Sequence, residues 1–155
     1  MLRRTSQSRI RLTSGRFAIV ASRYNTRYVD AMLRSAKSEL ARAGATTQVV
    51  RVPGAYEIPV VTQRLARTSQ PPLAGIICLG VILRGQTVHA AHIGDAVSRA
   101  LMEIQLAHEV PVIHEVLLLE NEEQARVRCL SKTHNRGMEA AQTALAMAAL
   151  MRTLG

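Results

Sequence analysis

The residues best able to do chemistry are Arg84-Gly85-Gln86-Thr87-Val88-His89, which follow directly on the apolar run 79–83. A buried strand that turns through glycine into a helix leaves the first backbone N–H groups of that helix unpaired. The helix dipole adds partial positive charge at the same point, so such a turn can hold an anion. Gly85 permits close backbone approach, Gln86 and Thr87 add donors, and His89 follows in the first turn as a titratable base. An ordinary strand–helix connection carrying a surface histidine has the same local pattern, so this stretch alone leaves both readings open.

Two further pairs have similar character. Tyr24-Asn25 and Tyr56-Glu57 each come just after a short apolar or β-branched stretch. Tyr24 is either a platform for ring stacking or half-exposed filler. Glu57 has a purely structural reading as well, as an acid near a helix start. Arg126, Arg128, Lys132 and Arg136 gather cations in the last third of the chain, and arginine suits two-point contact with a phosphate. His89 and His92 have HxxH spacing, but no cysteine or carboxylate completes a metal-ligand pattern with them, so no metal site is expected. Walker A and GxGxxG loops are both absent.

These groups need a scaffold that brings strand ends together, and the hydrophobic pattern supplies one. Strands are expected over residues 16–21, 46–52, 74–83 and 110–119. Between the first two, Val29, Met32, Leu33, Ala36 and Leu40 mark one face of a helix, with Gly44 as its stop. Further helices are expected from near Glu57 to Arg67, from His89 through Ile93, Val97, Leu101 and Ile104, over 120–130 with Glu120, Glu122 and Glu123 in the first turn, and over 138–151. Strands alternating with helices, the third strand a near-continuous apolar run, imply a parallel sheet covered on both faces. In such sheets ligands bind at the carboxyl ends of the strands, where Tyr24, Tyr56 and Gly85 all fall.

Composition narrows the class. A chain of 155 residues with 48% hydrophobic and 20% charged residues is expected to form one domain, 15–155, behind a flexible basic arm, 1–14. With no Trp and one Phe the core must be aliphatic, and so aliphatic a chain is expected to bury apolar surface between subunits. The net charge of +9 suggests phosphate-bearing partners. Five arginines of the first sixteen residues (Arg3, Arg4, Arg9, Arg11, Arg16) account for much of it, and no aromatic residues are interleaved as a single-strand binder would need. A nucleic-acid partner is therefore not expected. Cys78 and Cys129 form no framework, which fits reduced thiols in the cytoplasm. No apolar run has the length of a membrane span or the form of a secretory signal.

Taken together, Arg23-Tyr24-Asn25, the run Val52-Pro53-Gly54-Ala55-Tyr56-Glu57-Ile58-Pro59, Leu79-Gly80 through His89, Pro111-Val112, Glu123-Gln124-Ala125 with Arg128, and Asn135-Arg136-Gly137 resemble the 6,7-dimethyl-8-ribityllumazine synthase family of riboflavin biosynthesis. They do so in order and spacing, from about Arg16 to the end of the chain. The resemblance implies a three-layer α/β/α fold on a four-stranded parallel flavodoxin-like sheet, which an N-terminal segment of a neighbouring subunit can extend. It implies a transferase that condenses 5-amino-6-(D-ribitylamino)uracil with 3,4-dihydroxy-2-butanone 4-phosphate and releases phosphate, with no metal or organic cofactor. It implies a homo-oligomer, either a pentamer or a shell of pentamers, with riboflavin synthase as a further partner.

By the same resemblance Tyr24 stacks on the pyrimidine. Asn25, Gly54, Ala55, Tyr56, Glu57, Gly80, Val81, Ile82, Gln86, Thr87 and His114 contact substrate. Gly85, Gln86 and Thr87 hold the phosphate, Arg128 enters from a neighbouring subunit, and His89 transfers protons. The chain departs from the family pattern at Ala90-Ala91, where an aromatic and an acid are usual. It departs again at His114 (usually aromatic), Glu115 (usually glycine), Leu118-Leu119 (commonly threonine), Tyr24 and Tyr56 (commonly phenylalanine) and Arg136 (lysine). These changes bear on affinity and rate more than on fold. The alternative is a weakly active or inactive homologue that forms shells or binds a flavin or lumazine.

Overall fold

The computed structural model describes residues 15–85 and 88–155. The arm expected over 1–14 and the donors Gln86 and Thr87 lie outside the described residues. In chain order the elements are β1 (Arg16–Ser22), α1 (Thr26–Arg42), β2 (Thr46–Val52), a 3₁₀ turn (Ala55–Glu57) running into α2 (Ile58–Thr68), β3 (Gly75–Leu83), α3 (His89–His108), β4 (Val112–Leu119), α4 (Glu122–Cys129) and α5 (Arg136–Thr153). The strands form one sheet in the order β2-β1-β3-β4, every pair parallel. This is the three-layer arrangement that the alternation of apolar runs implies.

Residues alternate across the pleat, so each strand feeds two cores. Phe17, Ile19 and Ala21 of β1 and Ile77, Leu79 and Val81 of β3 join Val29, Met32, Ala36 and Leu40 of α1 and the alanines of α5 on one face. Ala18, Val20, Ile76, Cys78, Val112 and Val116 meet Ile58 of α2 and Val97, Leu101 and Ile104 of α3 on the other. Val29, Met32, Ala36 and Leu40, spaced three and four apart, are all fully buried, as one stripe of a 3.6-residue helix should be. Each large aliphatic side chain so buried contributes roughly 1.5–3 kcal/mol.

α5 buries Gly137, Ala140, Ala141, Ala144, Leu145 and Ala148. The glycine and alanines among them let it approach α1 closely. A Cβ on Gly137 would stand 2.0 Å from the Met32 carbonyl oxygen, so no side chain fits there.

Three element starts differ by two residues from the sequence expectation, each for a local reason. The helix expected from Glu120 starts at Glu122, because the Asn121 side chain accepts from the Gln124 N–H at 2.9 Å and caps it. Glu120 instead pairs with Arg84 at 2.8 Å. The last helix starts at Arg136, two residues early, because Asn135 caps it by accepting from the Met138 N–H at 3.0 Å. β4 begins at Val112 rather than 110, since Pro111 has no N–H to give the ladder.

Candidate active site

The strand order makes a crevice. From β1 the chain winds outward through α1 to β2, then crosses back through α2 to β3 on the other side of β1. The carboxyl ends of β1 and β3 are therefore the point where the winding reverses, the usual ligand position in an open parallel sheet.

Local hydrogen bonds fix what stands there. Asn25 adopts the left-handed conformation (φ 58°), which asparagine tolerates better than most residues. Its Nδ2 donates to the Val81 carbonyl at 2.7 Å and so ties the end of β1 to the end of β3. The backbone N–H groups of Arg23 and Tyr24 donate to the Pro53 carbonyl at 3.1 and 3.2 Å, which ties the loop after β1 to that after β2. In the second loop the Gly54 N–H donates to Glu57 Oε2 at 3.1 Å, while the Glu57 N–H donates to the Gly54 carbonyl at 3.2 Å. A Cβ on Gly54 would stand 3.0 Å from both the Tyr24 ring and Glu57 Oε2. Glycine lets the Tyr24 ring lie against this turn.

Between these loops and α3 lies a cavity of about 730 Å³, a size that suits a small-molecule site. Its walls are Tyr24 and Asn25 after β1, Gly54, Ala55, Tyr56 and Glu57 after β2, Val81, Ile82 and Leu83 at the end of β3, and His89, His92, Ile93 and Ala96 along α3. Tyr24 and Tyr56 are 70% and 66% exposed. Two large rings left in solvent beside an apolar floor are available for stacking on a flat ligand. Glu57 Oε2 is held by the Gly54 N–H, so the carboxylate is oriented at the rim.

Eight of the residues singled out from the sequence thus share one cavity with His89: Tyr24, Asn25, Gly54, Ala55, Tyr56, Glu57, Val81 and Ile82. Four are not brought to it within one chain. Gly80 is buried within the sheet, close to Ser22, Val116 and Ile58. Gly85 is exposed, with nothing near the position of a Cβ. Arg128 is exposed on α4. His114 is on β4, where its Nδ1 accepts from the Val116 N–H at 3.2 Å and its Nε2 lies 2.7 Å from Ser98 Oγ. With Nδ1 accepting, the neutral ring carries its proton on Nε2 and donates it to Ser98. Desolvation lowers the His114 pKa, which favours that neutral form.

Four lining residues went unassigned as substrate contacts in the sequence: Leu83, His92, Ile93 and Ala96. The signal for His92 and Ile93 was present as their spacing of three and four from His89. Among the described residues, no group of three or more His, Cys, Asp or Glu side chains could hold a metal ion.

Comparison with known proteins adds a second line. Residues 14–152 match the family model described as 6,7-dimethyl-8-ribityllumazine synthase. The chain is 42% identical over 148 residues to a protein of that name from Xanthomonas campestris pv. campestris (strain B100), covering 94% of this chain and 95% of the relative. It is 40% identical over 148 residues to the one from Xanthomonas oryzae pv. oryzae (strain PXO99A), with 94% and 95% covered. It is 42% identical over 144 residues to the one from Stenotrophomonas maltophilia (strain R551-3), with 91% and 92% covered.

Proposed function

Since the chain belongs to the 6,7-dimethyl-8-ribityllumazine synthase family, we propose that the cavity between the β1 and β3 ends is where this protein makes its product. The protein is a transferase of riboflavin biosynthesis. Its two substrates are 5-amino-6-(D-ribitylamino)uracil and 3,4-dihydroxy-2-butanone 4-phosphate. The observation that carries the site is convergence. Tyr24, Asn25, Gly54 to Glu57, Val81, Ile82 and His89 come from four separate stretches of sequence and line one cavity.

Each residue has work that fits its chemistry. Tyr24 stacks on the pyrimidine, and its place against Gly54 keeps the ring from turning away. Glu57, oriented by the Gly54 N–H, accepts hydrogen bonds from ribityl hydroxyls, with Asn25, Ala55 and Tyr56 beside it. Val81 and Ile82 present backbone at the floor, with Gly80 behind them. Gly85, Gln86 and Thr87 hold the phosphate at the start of α3, where the helix dipole favours an anion.

The reaction then runs by proton transfers. The ring amine attacks the ketone, the carbinolamine loses water to give an imine, and the neighbouring carbon loses a proton as phosphate departs to leave an enol. The enol gains a proton on carbon and loses one from oxygen to become a ketone, and the second nitrogen attacks that carbonyl and closes the ring with loss of water. His89, at the first turn of α3 on the cavity wall, is the proton-transfer residue. Such help is worth roughly 10²- to 10⁴-fold, and holding two substrates together supplies much of the rest.

Arg128 and His114 fit this scheme as residues lent to a neighbour. Both are exposed and neither lines the cavity of its own chain. The reading is therefore a homo-oligomer, a pentamer or a shell of pentamers, in which Arg128 completes the next subunit's phosphate site. Riboflavin synthase, which uses the product, is a partner in the same reading, and the cytoplasm is its location. Residues 15–155 act as one domain behind the basic arm.

The test is lumazine formation by wild-type, His89→Ala and Arg128→Ala proteins, alone and after the two variants are dissociated and reassembled together. Each variant alone should lose most turnover. The mixture should regain activity, because some sites combine an intact His89 with a neighbour's intact Arg128. Two weak variants whose mixture stays weak would contradict the shared site.

A further inference from the structure

His89 is not the only imidazole in the cavity. His92 lines the same wall three residues later in α3. Residues three apart on a helix stand one above the other, with Cβ atoms about 5–6 Å apart. The residues between do not share that position. Ala90 is buried against the core, and neither it nor Ala91 lines the cavity. Both histidines are exposed to whatever fills the cavity. The remaining titratable groups on its walls, Tyr24, Tyr56 and Glu57, stand on the opposite loops. HxxH spacing invites a metal reading, yet among the described residues no third ligand joins the pair.

We propose that His92 is a second catalytic imidazole, exchanging protons with the same substrate as His89. This rests on the function proposed above and extends it. Dehydration of the carbinolamine shows why two are useful. As the C–O bond breaks and the nitrogen lone pair forms the C=N bond, the departing hydroxyl must gain a proton to leave as water. The nitrogen must lose one. One imidazole donates and the other accepts, so the step is neutral overall, and the pair is left with its protonation exchanged. Elimination of phosphate then uses the imidazole that is free to accept the proton from the carbon next to the imine. Ring closure again requires a proton to be lost by nitrogen and another gained by oxygen. A single imidazole must make the two transfers in turn, giving a proton to the oxygen and then taking one from the nitrogen, whereas two side chains one helical turn apart can act at once.

The experiment measures kcat, KM and the pH–rate profile of His92→Gln and His92→Phe beside wild-type protein, with thermal unfolding as a check on folding. His92 is exposed, so neither change disturbs the core. The expected result is a kcat lower by roughly tenfold or more in both variants, little change in KM, a pH profile that loses one ionisation, and unchanged melting. Both variants keeping wild-type kcat and the same pH profile would overturn the inference while leaving the proposed function standing. An inactive wild-type protein would remove both.

Discussion

Glu115 provides the sharpest energetic prediction. It is a carboxylate half-buried in the middle of β4, facing the layer of α4 and α5. Burial pushes its pKa from 4.5 up to about 7. Arg136, across from it, pulls that value down, Glu139 raises it, and Arg128 pulls it down more weakly. Since Arg136 is itself paired with Glu139 at 3.2 Å, its charge is shared and does not fully compensate Glu115.

The folded protein therefore holds a proton on Glu115 that the unfolded chain releases. Stability is greatest below the unfolded value, falls as pH rises from about 4.5 toward about 7, and levels off above that. The span of the shift corresponds to at most about 3 kcal/mol. Solvent reaching a half-buried group reduces that.

Glu115→Gln keeps the shape of the protonated acid at every pH. Thermal unfolding of both proteins at one fixed concentration, at pH 5 and pH 8, isolates the term. At pH 5 the two should melt nearly together. At pH 8 the glutamine variant should melt higher by several degrees, on the scale of about 2–4 °C per kcal/mol for a chain of this size. A gap of the same size at both pH values, or a glutamine variant less stable at pH 8, would refute the argument that desolvation outweighs the two arginines.

Three other outcomes follow from particular contacts. Gly137→Ala drives a methyl group to 2.0 Å from the Met32 carbonyl oxygen; it should cost about 3 kcal/mol or more and yield little folded protein in a denaturation experiment. Glu57→Ala removes the acceptor of the Gly54 N–H together with the proposed ribityl contact. It should raise KM for the pyrimidine substrate roughly tenfold or more, and leave KM for the phosphorylated ketone nearly unchanged in initial-rate measurements. Burial raises the Cys78 thiol to about 12 and the Cys129 thiol to about 11. Native protein at pH 8 should therefore react with a thiol reagent only at the rate at which it opens, and fully once unfolded, as followed by absorbance.

The sequence was most informative where period and chemistry coincided. The apolar run ending at Leu83 reads as an interior strand and the stretch from His89 as a helix, because the period changes there from continuous to 3.6. Tyr24 and Tyr56 fall in the loops after β1 and β2, a position that makes them candidates without deciding between stacking platform and half-exposed filler. The rest depended on non-local geometry. That Asn25 reaches Val81 fifty-six residues away follows from β1 and β3 being neighbours, which no local pattern states.

The cap at Asn121 displaced Glu120 from its helix because a side-chain amide competes for the first backbone N–H groups, and the run of acids masked it. His92 has the right spacing, but HxxH by itself reads equally as half of a metal-ligand pair. Its place on the cavity wall needed the rotation of α3 against the sheet. Glu115 lies on the face opposite His114 because neighbouring residues alternate across the strand. Its unusual environment came from α5, which starts twenty-one residues later.

The measurement that tests the central claim most directly is product formation by the unmodified protein. Purified protein is mixed with 5-amino-6-(D-ribitylamino)uracil and 3,4-dihydroxy-2-butanone 4-phosphate, and lumazine is followed by absorbance and fluorescence while inorganic phosphate is assayed in parallel. The account predicts lumazine and phosphate in equal amounts, at a rate far above that of the two substrates alone, with His89→Ala reducing it sharply. A rate no faster than the uncatalysed condensation, in correctly folded protein, would contradict it.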